Sequence, residues 1–152
     1  MSWAALDQMI QTQFPTVQHL TPEELATWLE QPDQPVLLDT RLPAEFAVSH
    51  LDHARQVDPK METFESLGLT LDIPIVTYCS VGYRSSAIAA RLQAVGYSRV
   101  VNLKGSIFKW ANQGRPVYRN GQVVQQVHPY NLLWGKLLDS KLHAYDPIRY
   151  ES

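Results

Sequence analysis

One cysteine, Cys79, is all the thiol chemistry that this 152-residue chain carries. A single cysteine excludes an internal disulfide and a Cys-rich zinc site, and it suits a reducing, cytoplasmic setting. No run of about 18 apolar residues occurs, so nothing reads as a membrane span. Basic blocks are missing too: 13 Lys and Arg stand against 15 Asp and Glu, for a formal charge of -2. That balance argues against nucleic acid as a partner, because no clustered cations are present to release its counterions. The opening MSWAALDQMI lacks the positive n-region and small-residue cleavage pattern of a secretory signal, so export is not expected. Internal repeats and low-complexity tracts are also lacking. A chain near this length buries roughly 68–70% of its unfolded surface, so a core forms without metal or disulfide.

What the chain does have is alternation. Trp3, Leu6, Ile10 and Phe14 recur at helical spacing ahead of Pro15, which predicts a short docked helix. Residues 17–20 read as a strand. Thr21, Pro22 and Glu24 supply an N-cap, a first-turn proline and a capping box for a helix to about Glu30. Val36-Leu37-Leu38 reads as a buried strand leading into Asp39-Thr40-Arg41, Pro43 opens a helical turn with Glu45, Phe46 and Val48, and residues 54–57 suggest another strand. Ile73 to Cys79 is β-branched and aromatic without polar alternation, the pattern of a parallel strand covered on both faces. From Ser85 the period becomes helical, with Ala87, Ile88, Leu92 and Val95 on the inner side and Gly96 as the stop. Residues 99–103 predict a strand and SIFKWANQ a short helix. Asn120-Gly121 marks a hairpin, and Leu133, Trp134, Leu137 and Leu138 suggest a helix within 130–145. The fold class expected is α/β, with a mainly parallel sheet flanked by helices. Ligands of such sheets sit at the carboxyl ends of the strands, which is where Cys79 stands.

Cys79 has two readings. A lone cysteine is ordinarily a small buried hydrophobe. Here, however, it sits between a buried strand and a helix, in the stretch Cys79-Ser80-Val81-Gly82-Tyr83-Arg84-Ser85. Helix N-termini and cationic neighbours lower a thiol's pKa from about 8.5 to roughly 3.5–7.5. Gly82 permits a backbone that turns successive N–H groups toward the sulfur as an anion nest. Arg84 adds a fixed charge, and Ser85 or Ser86 caps the helix. Together these favour a reactive thiolate.

The loop resembles the Cys-x-x-Gly-x-Arg-Ser active loop of the single-domain rhodaneses, a family of sulfurtransferases. Asp39-Thr40-Arg41, Glu45-Phe46, His50-Leu51 with Ala54, Asn102-Leu103-Lys104-Gly105, Trp110 and Gly114-Arg115-Pro116-Val117 are similar to its other ordered signatures. The resemblance implies a three-layer rhodanese-like domain at 17–117, preceded by a helical segment at 1–16. A hairpin-and-helix extension at 118–152 follows and packs on the domain. It also implies that Cys79 takes a sulfane sulfur from a small donor such as thiosulfate. The resulting persulfide is passed to cyanide, a small thiol or a protein acceptor, with no cofactor, no metal, no nucleic acid and no membrane involved. Ser80, Val81, Gly82, Tyr83, Arg84 and Ser85 would form the substrate loop, with Asp39 and Arg41 behind it.

With no second cysteine, the acceptor must come from outside the chain. Arg84 either binds an anionic donor or braces the loop against a carboxylate such as Asp39, while Arg41 and Glu45, four apart, are expected to pair with each other. His50 reads as structural. Ser49 and Asp52-His53 depart from the family's glycine pattern, and so does Ser106, where a second glycine is common; neither departure is expected to touch the chemistry. Four residues separate Cys79 from Arg84, against five in related phosphatases, which disfavours phosphoryl transfer. A module that binds partners or senses oxidants through Cys79 without turnover is the competing reading.

Overall fold

In the computed structural model, which describes residues 2–147, the alternation of strand and helix resolves into one parallel sheet. Its strands are β1 (Gln18–Leu20), β2 (Val36–Asp39), β3 (Arg55–Gln56), β4 (Ile75–Tyr78) and β5 (Val100–Leu103), in the order β1-β5-β4-β2-β3. β4 lies at the centre and every one of its residues is buried, as its unbroken apolar run requires. Successive residues serve opposite faces. Leu37, Val76, Tyr78 and Leu103 enter one core cluster, whereas Leu38, Ile75 and Val100 enter the other.

The helices are α1 (Trp3–Gln13), α2 (Pro22–Leu29), α3 (Pro43–Val48), α4 (Tyr83–Ala94) and α5 (Ser106–Asn112). α2 begins with the predicted capping box: Glu24 N–H donates to Thr21 Oγ1 at 3.1 Å, and Thr21 N–H to Glu24 Oε1 at 3.0 Å. α4 ends in a Schellman turn, with Gly96 at φ 106°, Gly96 N–H on Gln93 O at 3.1 Å and Tyr97 N–H on Leu92 O at 3.1 Å. Val95, expected to face the core, is instead 54% exposed. The helix has closed at Ala94, and Tyr97, turned inward by the cap, packs there with Ile88 and Leu92.

Beyond α5, β6 (Val117–Arg119) and β7 (Gln122–Val124) form the hairpin, with Asn120 at φ 52° and Gly121 at φ 76°, the geometry of a type I′ turn. Reciprocal backbone hydrogen bonds between His50 and Tyr118 tie it to the domain. The single helix expected within 130–145 is corrected: two 3₁₀ turns, Trp134–Leu137 and Ser140–Leu142, occur instead. A continuous helix is interrupted at Leu138, whose extended backbone (ψ 134°) lets it reach the core while Leu133 stays 60% exposed. Leu6 and Ile10 from α1 share one core cluster with Val117, Val127, Leu138 and Leu142, so both ends of the described chain close over the same face of the sheet. Among the described residues, no helix is long and apolar enough to cross a membrane.

Candidate active site

Cys79 follows the last residue of β4 and is 1% exposed. Its Sγ accepts the N–H of Gly82 at 3.1 Å and faces the Ser85 hydroxyl at 3.4 Å. Gly82 achieves this at φ 115°, a conformation that a side chain disfavours. A β-carbon there would also meet Asn102 Nδ2 at 3.4 Å and Ile10 Cδ1 at 3.5 Å. α4 begins at Tyr83, not near Ser85, with Gly82 in the capping position. The two serines therefore lie inside the first turn and do not cap it. Ser86 Oγ donates back to Gly82 O at 2.6 Å, and Ser85 Oγ donates to Asn102 Oδ1 at 2.5 Å. Asn102 in turn lies 3.0 Å from His19 Nδ1, so a polar chain runs from the sulfur's neighbour to β1.

The main chain around the sulfur is fixed by α5. Ile107 N–H donates to Cys79 O and Phe108 N–H to Ser80 O, each at 3.1 Å. Ser106, expected to stand clear of the chemistry, accepts the Cys79 N–H on its Oγ at 3.2 Å and donates to Leu103 O at 3.0 Å. It does so at φ 49°, the backbone region in which glycine is at ease, so the serine keeps the turn and adds a bond.

The ion pairs differ from those expected. Arg41 pairs with Asp39, not Glu45: Nε to Oδ1 at 3.0 Å and Nη2 to Oδ2 at 2.7 Å, with both side chains fully buried. α3 starts only at Pro43, so Arg41 is not on the helix and the four-residue spacing carries no meaning. Glu45 instead takes a fork from Arg84, Nη1 to Oε2 and Nη2 to Oε1 at 2.8 Å each, while Arg84 Nη2 also donates to Ser80 Oγ at 2.9 Å. Burial alone would lower the Arg84 guanidinium, but its hydrogen bonds to Glu45 and the neighbouring Cys79 hold it above its ordinary value. His50 stacks on Phe46 with ring centroids 4.0 Å apart, in keeping with a structural part.

A cavity of about 100 Å³ opens onto Cys79, lined by Ser80, Val81, Tyr83, Arg84, Tyr130 and Trp134. A larger cavity, about 450 Å³, lies elsewhere, between α2 and the Asp52–His53 turn, and no cysteine lines it. Tyr130, Asn102 and Ser106 were not legible as site residues; only the glycine-to-serine departure at 106 offered a signal. No group of three or more His, Cys, Asp or Glu side chains could hold a metal among the described residues.

The buried titratable groups predict a two-stage acid response. Burial lowers His19 and His128 below the ordinary 6.5. Their share of the stability is therefore complete above that value and is lost as the pH falls through the lowered ones. Burial alone would raise Glu45, yet Arg84, the Leu42 N–H and Arg41 hold it below its ordinary 4.5. Its share is lost as the pH falls from there through the depressed value, while Asp7, raised by burial, offsets part of the loss. Urea midpoints measured from about pH 8 to about pH 2 should fall in two steps, and Glu45→Gln should flatten the lower one.

Comparison with known proteins places these features in a family. The model of the family described as "Rhodanese-like domain" matches residues 21–113. A protein named "Sulfurtransferase" from Allochromatium vinosum is 34% identical over 101 residues, covering 66% of this chain and 94% of its own. "Probable adenylyltransferase/sulfurtransferase MoeZ" from Mycobacterium tuberculosis is 38% identical over 100 residues, 64% of this chain, which spans only 25% of that longer protein. Among solved structures, a rhodanese-like domain protein from Staphylococcus aureus superposes with a TM-score of 0.61 at 20% identity, covering 68% of this chain and 99% of that one.

Proposed function

Because this chain belongs to the rhodanese-like domain family, we propose that it is a sulfurtransferase working through a persulfide on Cys79. The observation that carries the reading is the Gly82 N–H aimed at Sγ from 3.1 Å, at the floor of a small cavity. An amide at the head of α4 stabilises negative charge on sulfur, and a side-chain hydroxyl faces the same atom. The Cys79 thiolate attacks the outer sulfur of thiosulfate; its electron pair forms the new S–S bond, the old S–S bond breaks, and sulfite leaves with that pair. In the second half-reaction cyanide, a small thiol or a thiol on another protein attacks the terminal sulfur and regenerates the thiolate.

The Gly82 N–H that holds the thiolate also holds the charge as it passes onto the added sulfur, so the site needs little rearrangement between half-reactions. Arg84 acts mainly as a brace, since its fork is occupied by Glu45 and Ser80. Sulfur is carried covalently between two separate events, so the kinetics are ping-pong. Initial rates measured across thiosulfate and cyanide concentrations should give parallel double-reciprocal lines. Intersecting lines would show direct transfer in a ternary complex. A thiol that accepts sulfur from no sulfane donor would make the protein a partner-binding or redox-sensing module instead.

A further inference from the structure

The segment matched by the family model stops at residue 113, yet two side chains well beyond it return to the Cys79 cavity. Tyr130 and Trp134 line its mouth together with the loop itself. The ring of Tyr130 lies over the Arg84 guanidinium, 4.3 Å from centroid to Cζ.

Tyr130 is held there firmly. Its backbone sits at φ 69°, a left-handed conformation that a tyrosine keeps only when its surroundings impose it. The surroundings do: Tyr130 N–H donates to Nδ1 of buried His128 at 2.9 Å, and His128 packs edge-on against Tyr145. On the other side, Asn131 Oδ1 accepts the Trp134 N–H at 2.8 Å. Val127, Leu138 and Leu142 anchor both flanks in the main core. The backbone strain thus delivers one aromatic face to one guanidinium.

That contact has an electrostatic consequence. Arg84 is the one cation among the cavity's lining residues. Its charge is already matched by the Glu45 carboxylate through two bonds of 2.8 Å, and its face is covered by Tyr130. A dianionic donor such as thiosulfate meets no uncompensated positive charge at the mouth unless Arg84 leaves Glu45, and the ring stands in the way of that movement. A hydropersulfide is more acidic than its thiol and is in equilibrium with R–S–S⁻ at neutral pH, but the form whose outer sulfur a thiolate attacks is the uncharged R–S–SH, which needs no counter-charge. Its polarizable sulfurs are well received beside aromatic rings, and a cavity of about 100 Å³ admits the sulfur end while R stays outside.

We propose that Tyr130 and Trp134 are specificity-determining residues, which complete the site and favour hydropersulfides of small thiols, reacting in their uncharged R–S–SH form, over dianionic thiosulfate as sulfur donors. The proposal rests on the sulfur-transfer reading above. The Cys79 thiolate forms a bond to the outer sulfur of R–S–SH, the R–S to S bond breaks, and RS⁻ leaves with its electron pair. The proton stays on the transferred sulfur, giving Cys79–S–SH.

The test measures the rate of sulfur loading on Cys79 by intact mass, with cysteine hydropersulfide and with thiosulfate, in the wild type, Tyr130→Ala, Tyr130→Leu and Tyr130→Phe. The wild type should load faster from the hydropersulfide. Removing the ring should raise the thiosulfate-to-hydropersulfide ratio about tenfold, and Tyr130→Phe, which keeps the aromatic face, should stay within about twofold of the wild type. Tyr130→Leu keeps apolar bulk and gives the same readout should Tyr130→Ala fail to fold. An unchanged ratio in the Leu variant, an equal shift in the Phe variant, or a wild type faster with thiosulfate overturns the specificity role while leaving sulfur transfer standing. A wild type that loads from neither donor overturns the sulfur-transfer reading itself, and the proposal with it.

Discussion

Cys79→Ser is expected to lower kcat/KM for sulfur transfer by at least about 10⁴-fold, because it removes the atom on which the covalent route depends. Serine occupies nearly the same space, and its hydroxyl can accept the Gly82 N–H and meet Ser85 as the sulfur does. Folding should therefore be little changed, with a urea midpoint equivalent to a loss under about 1 kcal/mol. A hydroxyl stays protonated at neutral pH and is a poor nucleophile toward sulfur. The thiosulfate–cyanide assay run beside the urea titration separates the two effects: activity gone, stability kept. A serine variant that still turns over would mean that the sulfur atom in this loop is not the carrier.

Asp39→Ala should be the most damaging substitution for stability. It strips the partner from Arg41, whose guanidinium is fully buried and donates to Asp39 and to Ser49 O at 2.7 Å. Burial alone would lower the Arg41 pKa, but the Asp39 charge holds it above its ordinary value. Arginine does not shed its proton in a protein, so the variant leaves an uncompensated buried charge, at a cost of about 3–5 kcal/mol. That is a large share of the roughly 5–15 kcal/mol that holds a typical domain together. Asp39→Leu combined with Arg41→Met should recover most of the loss, since no charge is then stranded. Urea midpoints of the wild type and the two variants measure the loss and its recovery. A loss below about 1 kcal/mol in Asp39→Ala would show that solvent or a neighbour already compensates Arg41.

Much of the frame was legible in the residues. The strand at 73–79 has no polar alternation, and a glycine and a helical apolar period follow it, so the position of Cys79 at a strand end could be read directly. Thr21, Glu24, Asn120 and Gly121 are local signals acting within four residues, and each forms the turn or cap expected of it. What could not be read depends on contacts distant along the chain. Arg84 meets Glu45 across 39 positions, and spacing along one element says nothing about such a pair. Ser106 reaches the Cys79 amide from the start of α5, 27 positions on. Residues 130–145 carry a helical apolar period, yet Leu138 takes an extended backbone on its way into the core and Gly135 must lie beside Pro129, at 3.1 Å from where a β-carbon would stand. Tertiary packing breaks the period into two turns, and the left-handed backbone at Tyr130, ahead of both, turns its ring to the cavity.

The most direct test of sulfur transfer through Cys79 is the intact mass of the protein after incubation with thiosulfate, followed by addition of cyanide. A gain of one sulfur atom, located on Cys79 by peptide mapping and lost again when cyanide is added, is the predicted result. An unchanged mass with thiosulfate and with hydropersulfide, or a sulfur that cyanide does not remove, would contradict it.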